Sequence, residues 1–358
     1  MTRAVLICGD VVGAPGGAGQ VTKNELMALQ EVFGANEVGV LQLADVRPAV
    51  YAGLDVPYLW DYFALSQLHE PRFDALEHAH IYSGCYTETV RYLRSRGVTV
   101  SYTCPAHDRN LSMKERGPAY YLPHIDIPEL WQQHSQGLRL ANLVIVPGEA
   151  PRRFLESEGV ESEHMVVIPH GIDSVPEQVA PFPEEFTIGY LGAVGVDKGV
   201  RFLVAAWGIL DWPDARLLIA GEGSQQLESY IRTLAGKGRF VLLGWVPDPW
   251  EFYPKLSIYI QPSVEGFGIE VPEAMACGRP VIVSDAAGAA DLVDPGETGW
   301  RVPFADTNAL VEVLGQCYQH QDKLLAIGNR ARKVAQRYTW ELIRGRYIEV
   351  FRRFQLAG

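Results

Sequence analysis

The chain has 358 residues and carries 31 Lys and Arg against 43 Asp and Glu, a net charge of −12. That length suits two domains, and hydrophobic residues near half of the total mark a folded globular chain. Acid exceeds base in both halves and no basic block occurs, which argues against nucleic acid as a partner. The same balance gives no positive indication of docking on an anionic membrane surface, without excluding it.

Ala4 to Cys8 is apolar, ends in Gly/Asp and is too short for a signal peptide, so it reads as a first strand. A glycine-rich loop, Gly13-Ala-Pro-Gly16-Gly17-Ala-Gly19, leads to a predicted helix from about Thr22 to Phe33 and a strand from Val38 to Leu43. Ala75 to His80, Thr99 to Thr103 and Leu143 to Val146 read as further strands, with helices at Glu88 to Arg96 and Ile127 to Leu140. This is the β-α-β rhythm of a parallel sheet. Around Pro176 to Glu185 it lapses into Pro/Glu-rich sequence of linker character. It then restarts, with strands at Thr187 to Leu191, Arg216 to Ala220, Phe240 to Leu243, Ser257 to Gln261 and Pro280 to Ser284. Helices are expected at Val200 to Leu210, Gln225 to Leu234 and Pro272 to Cys277, and a last one at Trp340 to Phe354. Two α/β halves joined by a linker leave a cleft, and such sheets bind ligands at the carboxyl ends of their strands.

The five cysteines, Cys8, Cys85, Cys104, Cys277 and Cys317, are scattered and odd in number, which favours reduced thiols and a cytoplasmic setting. No apolar run reaches membrane-spanning length.

Chemistry concentrates in the second half. Ser263-Val-Glu265-Gly-Phe-Gly268-Ile-Glu-Val-Pro272-Glu273 follows an apolar strand and enters a segment with helix-start chemistry. Pro272 fits the first helical position, with Glu270 and Glu273 as negative charge near the helix start. Backbone N–H groups of a glycine turn suit phosphate, whereas carboxylates accept from hydroxyls. The combination suits a ligand with both, such as a sugar nucleotide. Upstream, Gly192-Ala-Val-Gly195-Val-Asp-Lys198-Gly199 allows backbone to approach a diphosphate and adds the point charge of Lys198. An ordinary βα loop with a surface lysine fits those residues equally well.

In order and spacing, Val167-Ile-Pro-His170-Gly171-Ile-Asp173, then Gly192 to Gly199, then Glu265 to Gly278 resemble the retaining GT-B glycosyltransferases of family 4, over about Gly13 to Ser284. The resemblance implies an α/β fold of two Rossmann-like domains facing a central cleft. Residues 1–172 would form the acceptor domain and 173–337 the nucleotide-sugar domain, with 338–358 a helix packing back on the first. It implies that Glu265 contacts sugar hydroxyls, Glu273 accepts from the ribose, and Lys198 stabilises the leaving diphosphate. Backbone at Phe267, Gly268 and Ile269 would face sugar and diphosphate, alongside Gly192. Glu222 and Val246 would border the base. Gly16 and Gly17 would meet the diphosphate from the other domain, and His107 would face the transferred sugar. The family usually has an arginine where this chain has Ala193; Arg109 and Arg201 are the nearby substitutes in sequence. His80 and His170 match structural positions, and Arg279 reads as one half of a structural salt bridge.

The resemblance further implies transfer with retention, from a nucleoside diphosphate sugar to a glycan, lipid-linked or small-molecule hydroxyl acceptor. No Asp-x-Asp pair or His cluster offers a metal site, so neither metal nor other cofactor is expected. Two rivals share the architecture, a nucleotide-sugar 2-epimerase and an inactive sugar-nucleotide binder. A nicotinamide oxidoreductase read from Gly13 to Gly19 lacks a clean Gly-x-Gly-x-x-Gly pattern. The aromatics Tyr58, Trp60, Tyr62 and Phe63 read as core or loop packing, with sugar stacking or a lipid groove as the alternative.

Overall fold

The computed structural model describes residues 1–8, 12–14, 17–42, 56–84, 86–106, 128–194, 198–221, 225–234 and 239–356. The first sheet contains β1 (Ala4–Cys8), β2 (Val38–Gln42), β3 (His78–Tyr82), β4 (Thr99–Thr103), β5 (Leu143–Val146) and β6 (Met165–Val167). All are parallel, in the order β2-β1-β3-β4-β5-β6. Helices α1 (Gly17–Phe33), α2 (Val56–Leu68), α3 (Thr87–Ser95), α4 (Pro128–Leu140) and α5 (Glu149–Ser157) connect the strands. Coverage of both faces explains why β1 is buried at every residue and reads as a continuous apolar run.

In this sheet two boundaries shift by more than two residues from the sequence reading. Strand β3 starts at His78 rather than Ala75, because its polar residues are buried instead of exposed. His78 Nδ1 and Nε2 pair with Thr99 Oγ1 (2.8 Å) and Ser101 Oγ (2.9 Å) on β4, and His80 Nδ1 with Ser101 Oγ (2.7 Å). His80 Nε2 also lies 3.3 Å from Glu25 Oε1 of α1, with both side chains fully buried. Helix α1 begins at Gly17 rather than Thr22. Gly19 belongs inside its first turn because a Cβ there would sit 2.1 Å from the Ala14 carbonyl oxygen.

The second sheet contains β7 (Phe186–Leu191), β8 (Ala215–Ala220), β9 (Phe240–Gly244), β10 (Ile258–Gln261), β11 (Val281–Ser284) and β12 (Gly299–Val302), ordered β12-β11-β10-β7-β8-β9. Its helices are α6 (Val200–Leu210), α7 (Gln225–Leu234), α8 (Glu270–Ala276), α9 (Thr307–Gln319) and α10 (Gln321–Ala335). Strands β6 and β12 and helices α2, α5, α9 and α10 lie beyond what the sequence patterns delimited. Asp306 starts α9 by accepting from Ala309 N at 2.9 Å, a cap worth about 1 kcal/mol.

Helix α11 (Trp340–Leu356) returns to the first sheet and packs on α1. Ile343, Tyr347 and Phe351 are fully buried against Val21, Ala28, Leu29 and Phe33, each such side chain contributing roughly 1.5–3 kcal/mol. The two chain crossings run side by side: Ile172 N donates to Tyr338 O (2.8 Å) and Trp340 N to Ile172 O (3.0 Å). The carboxyl ends of the two sheets consequently face each other. Gly266, past β10, meets Pro105, past β4, and Gly288, past β11, meets Gly148, past β5. No helix among the described residues is long and apolar enough to cross a membrane.

Candidate active site

In the second sheet the strand order reverses between β7 and β10, and a doubly wound sheet opens a crevice at the carboxyl ends of such a pair. Lys198 follows β7 and Glu265 follows β10. They meet there, Lys198 Nζ to Glu265 Oε1 at 2.5 Å, with the side chains 25% and 21% exposed. Gly199 makes the approach feasible. It has φ +66°, and a Cβ would stand 2.1 Å from the Pro262 carbonyl oxygen. The Glu265 carboxylate is also aimed from the strand. Tyr259 OH donates to Gln261 Oε1, and Gln261 Nε2 donates to Ser263 Oγ (2.7 Å) and Glu265 Oε1 (3.4 Å).

After Gly268, at φ +92°, α8 opens at Glu270 rather than at Pro272, which occupies the third helical position. Proline is tolerated there because first-turn N–H groups lack intrahelical partners anyway. Glu273 Oε2 accepts from Tyr253 OH at 2.6 Å. Burial pushes the Glu273 carboxyl up to about 7; Asp173 and Asp248 add to the rise and the Tyr253 hydrogen bond opposes it. Glu270, one turn earlier, is pushed up to about 8 by burial and then by the Glu265 charge, against its own backbone N–H and Lys198. One ammonium and three carboxylates thus share the crevice, two of them held partly protonated near neutrality. Glu270, Tyr253 and Gln261 were not singled out as site residues from sequence. Glu270 stands inside the motif itself, whereas Tyr253 and Gln261 gain their roles only through packing.

Gly192 ends β7 with its carbonyl against Gly221, at the end of β8; a Cβ on Gly221 would lie 1.8 Å from it. Ala193 is exposed and its carbonyl accepts from Tyr190 OH at 2.7 Å. The Arg201 guanidinium lies over the Phe202 ring, 4.5 Å from its centroid. Val246 packs half-buried on the second core. The Phe267 side chain is buried against His170, ring centroids 5.0 Å apart, so it does not itself face the crevice, and Ile269 is half-buried beside it. His170, also near Trp340, is held neutral by burial, which lowers it to about 4. Arg279 makes no salt bridge among the described residues. It is buried, donates to the Ala180 (2.8 Å), Pro181 (3.2 Å) and Pro254 (3.2 Å) carbonyls, and lies over Phe182, so carbonyl dipoles and a ring replace the expected carboxylate. Gly16, His107, Arg109 and Glu222 lie outside the described residues. Gly17 starts α1 with open space around it.

Across the cleft, Ile7, Cys8, Leu41, Gln42, Phe63, Ala64 and Tyr86 close together at the carboxyl ends of β1 and β2, leaving no room for a water molecule between them. Asp61 pins α2 to α3 there, accepting from Glu88 N and Thr89 N at 2.7 Å each. Phe63 therefore belongs to this packed contact, while Tyr62 is 68% exposed.

Two doubly wound domains with the carboxyl ends of their sheets facing each other, one of them opening a crevice at its switch point, form the GT-B architecture. Two family descriptions match the chain, Glycosyltransferase Family 4 over residues 11–175 and Glycosyl transferases group 1 over residues 185–320. Together the two matches cover most of the chain, which is built of a Glycosyltransferase Family 4 domain and a Glycosyl transferases group 1 domain. Among similar proteins, the capsular polysaccharide biosynthesis glycosyltransferase CapM of Staphylococcus aureus is 32% identical over 45% of this chain and 44% of its own length. The phosphatidyl-myo-inositol mannosyltransferase of Mycobacterium leprae is 30% identical over 62% of this chain and 61% of its own. The chain thus spans about half of the length of the curated relatives it matches. In structure it resembles a sucrose-phosphate synthase from Thermosynechococcus elongatus (TM-score 0.76, 19% identity, 99% and 100% of the two chains). It also resembles HepE of Anabaena in complex with UDP-glucose (TM-score 0.68, 20% identity, 97% and 99%). These likenesses fix the GT-B fold.

Proposed function

We propose that the protein transfers a sugar, with retention at the anomeric carbon, from a nucleoside diphosphate sugar to a hydroxyl acceptor. The observation that carries this is the Lys198–Glu265 pair at the β7/β10 switch point, with Glu273 anchored by Tyr253 beside it. Glu265 accepts from hydroxyls of the sugar and Glu273 from those of the ribose. Lys198 faces the diphosphate; an ammonium has three N–H donors, enough to serve Glu265 and a phosphate oxygen together. The backbone of Gly268 and Ile269 supplies further N–H groups.

In the proposed step the bond from the anomeric carbon to the diphosphate oxygen breaks, and the acceptor oxygen bonds to that carbon on the same face. The acceptor proton passes to an oxygen of the leaving diphosphate, while Lys198 balances the charge that develops there. The step requires no metal ion. Facing sheet ends exclude water, which limits hydrolysis of the donor. The acceptor lies on the first domain. Among relatives, the named mannosyltransferase acts on a phosphatidyl-myo-inositol and HepE binds UDP-glucose, which supports a sugar nucleotide on one side and a lipid-linked or glycan hydroxyl on the other. The test is incubation of the purified protein with UDP-, GDP- and ADP-sugars and an acceptor panel, with the product's anomeric configuration read by NMR. A retained configuration is expected; an inverted product would sink the mechanism, and a new sugar nucleotide without acceptor would mark an epimerase.

A further inference from the structure

The helix α5 begins on the first domain with a cap it does not own. Its N-cap is Gly148, which has no side chain to satisfy the first-turn N–H groups. The Oδ2 of Asp291, on the second domain, accepts from Glu149 N at 2.7 Å instead. Asp291 sits in the 3-10 turn Gly288–Leu292. Burial raises its carboxyl, the Glu149 amide opposes that rise, and Glu149, Arg301 and Arg153 are the charged groups around it. Bulk at this joint is excluded by three glycines in succession. A Cβ on Gly148 would lie 2.5 Å from Gly288 Cα, one on Gly288 2.3 Å from Gly266 O, and one on Gly266 2.2 Å from Pro105 O.

The same segment is hydrogen-bonded to the turn that carries Glu265. Glu265 N donates to Ala286 O (3.4 Å), Gly288 N to Glu265 O (3.3 Å) and Ala289 N to Phe267 O (2.8 Å). A continuous run of backbone contacts therefore links α5 of the first domain, through Asp291 and residues 286–291, to the turn whose carboxylate meets Lys198. Opening the cleft would strip α5 of its cap. Closing it couples that cap to the seating of Glu265.

We infer that Asp291 is a positioning residue, a cap lent across the domain boundary that seats the Glu265–Phe267 turn when the two domains close. The role of that turn in transfer rests on the function proposed above; the cap and its coupling do not. Substitution of an N-cap shifts a local equilibrium by about 2- to 30-fold, from its usual worth of 0.5–2 kcal/mol. The test uses the full chain as wild type, Asp291→Ala and Asp291→Asn, the last keeping an oxygen that accepts from Glu149 N. Amide hydrogen exchange is followed over residues 147–153, 264–268 and 286–292, with β1 and β7 as controls for global folding.

In Asp291→Ala, exchange is expected to quicken over all three segments by a factor in that range, with the controls unchanged. Turnover at saturating donor falls by a similar factor, and the donor KM moves less. Asp291→Asn restores most of both. Quickening confined to residues 147–153 would overturn the coupling, as would wild-type turnover in an Asp291→Ala protein whose three segments all exchange faster. If the coupled exchange change is present but the wild type transfers no sugar from any donor, the cap stands and the transferase reading falls. Should Asp291→Ala unfold, Asp291→Asn with wild-type exchange and turnover supports the cap, because only an oxygen acceptor is then required. Unfolding of Asp291→Asn as well would contradict it.

Discussion

The two surfaces that face across the cleft are built on opposite plans. On the second domain, ionisable groups gather in the crevice: Lys198, Glu265, Glu270 and Glu273 come from two loops and one helix start, aimed by Gln261 and Tyr253. Among the described residues of the first domain, Glu25 and His80 pair beneath the sheet, beside Phe351 of the returning α11, and Asp61 is spent on the backbone amides of α3. The strand ends of β1 and β2 are closed by packing around Phe63 and Tyr86. The contrast teaches how such a protein divides its work. A ligand with fixed diphosphate and ribose groups calls for fixed charges and hydrogen bonds, and those gather on the second domain.

The division is open to being broken by substitution. The largest effect is expected for Lys198→Ala. Loss of a group that stabilises transition-state charge should lower kcat by roughly 10²–10³-fold, with a smaller change in donor KM, in steady-state transfer assays. A near-normal kcat would remove Lys198 from the mechanism. Next, Glu273→Ala should raise the donor dissociation constant by about 10- to 100-fold, the usual worth of hydrogen bonds to a charged group, and leave kcat largely intact. Calorimetric titration of the nucleoside diphosphate checks this.

A pH series sharpens the same side. Glu273 must be ionised to accept two ribose hydroxyls, so donor affinity should be lost as pH falls through about 7. Glu270 is neutral below about 8; above that it adds negative charge beside the diphosphate and affinity should fall again. An optimum between those values is expected, falling by up to about tenfold per pH unit outside it, and Glu270→Gln should abolish the alkaline limb alone.

Legibility in the sequence follows the same line. Apart from β6 and β12, the parallel strands of both sheets were readable because burial on both faces turns them into short apolar runs, as in Val281–Ser284. Strand β3 was displaced because His78 and His80 look solvent-facing until Ser101 and Thr99 supply partners from β4. The start of α1 was hidden by glycines that ordinarily break helices. At the site, Glu265 and Glu273 stood out as carboxylates flanking a glycine turn, whereas Lys198, in a loop that an ordinary surface lysine fits equally well, was singled out only through the family resemblance. Tyr253 and Gln261 did not, since a tyrosine before a strand and a glutamine at its end acquire meaning only once β10 brings them beside the carboxylates. The Asp291 cap joins residues separated by 142 positions, and no local pattern announces it.

The central claim is that the β7/β10 crevice holds a nucleoside diphosphate through Lys198 and Glu273, and thermal unfolding with and without UDP, GDP and ADP tests it most directly. A ligand at a hundred times its dissociation constant stabilises the folded state by about 2.7 kcal/mol. One of the three should therefore raise the Tm by several degrees, and the rise should shrink sharply in Glu273→Ala and in Lys198→Ala. No shift with any of the three, or an undiminished shift in both variants, would contradict the assignment.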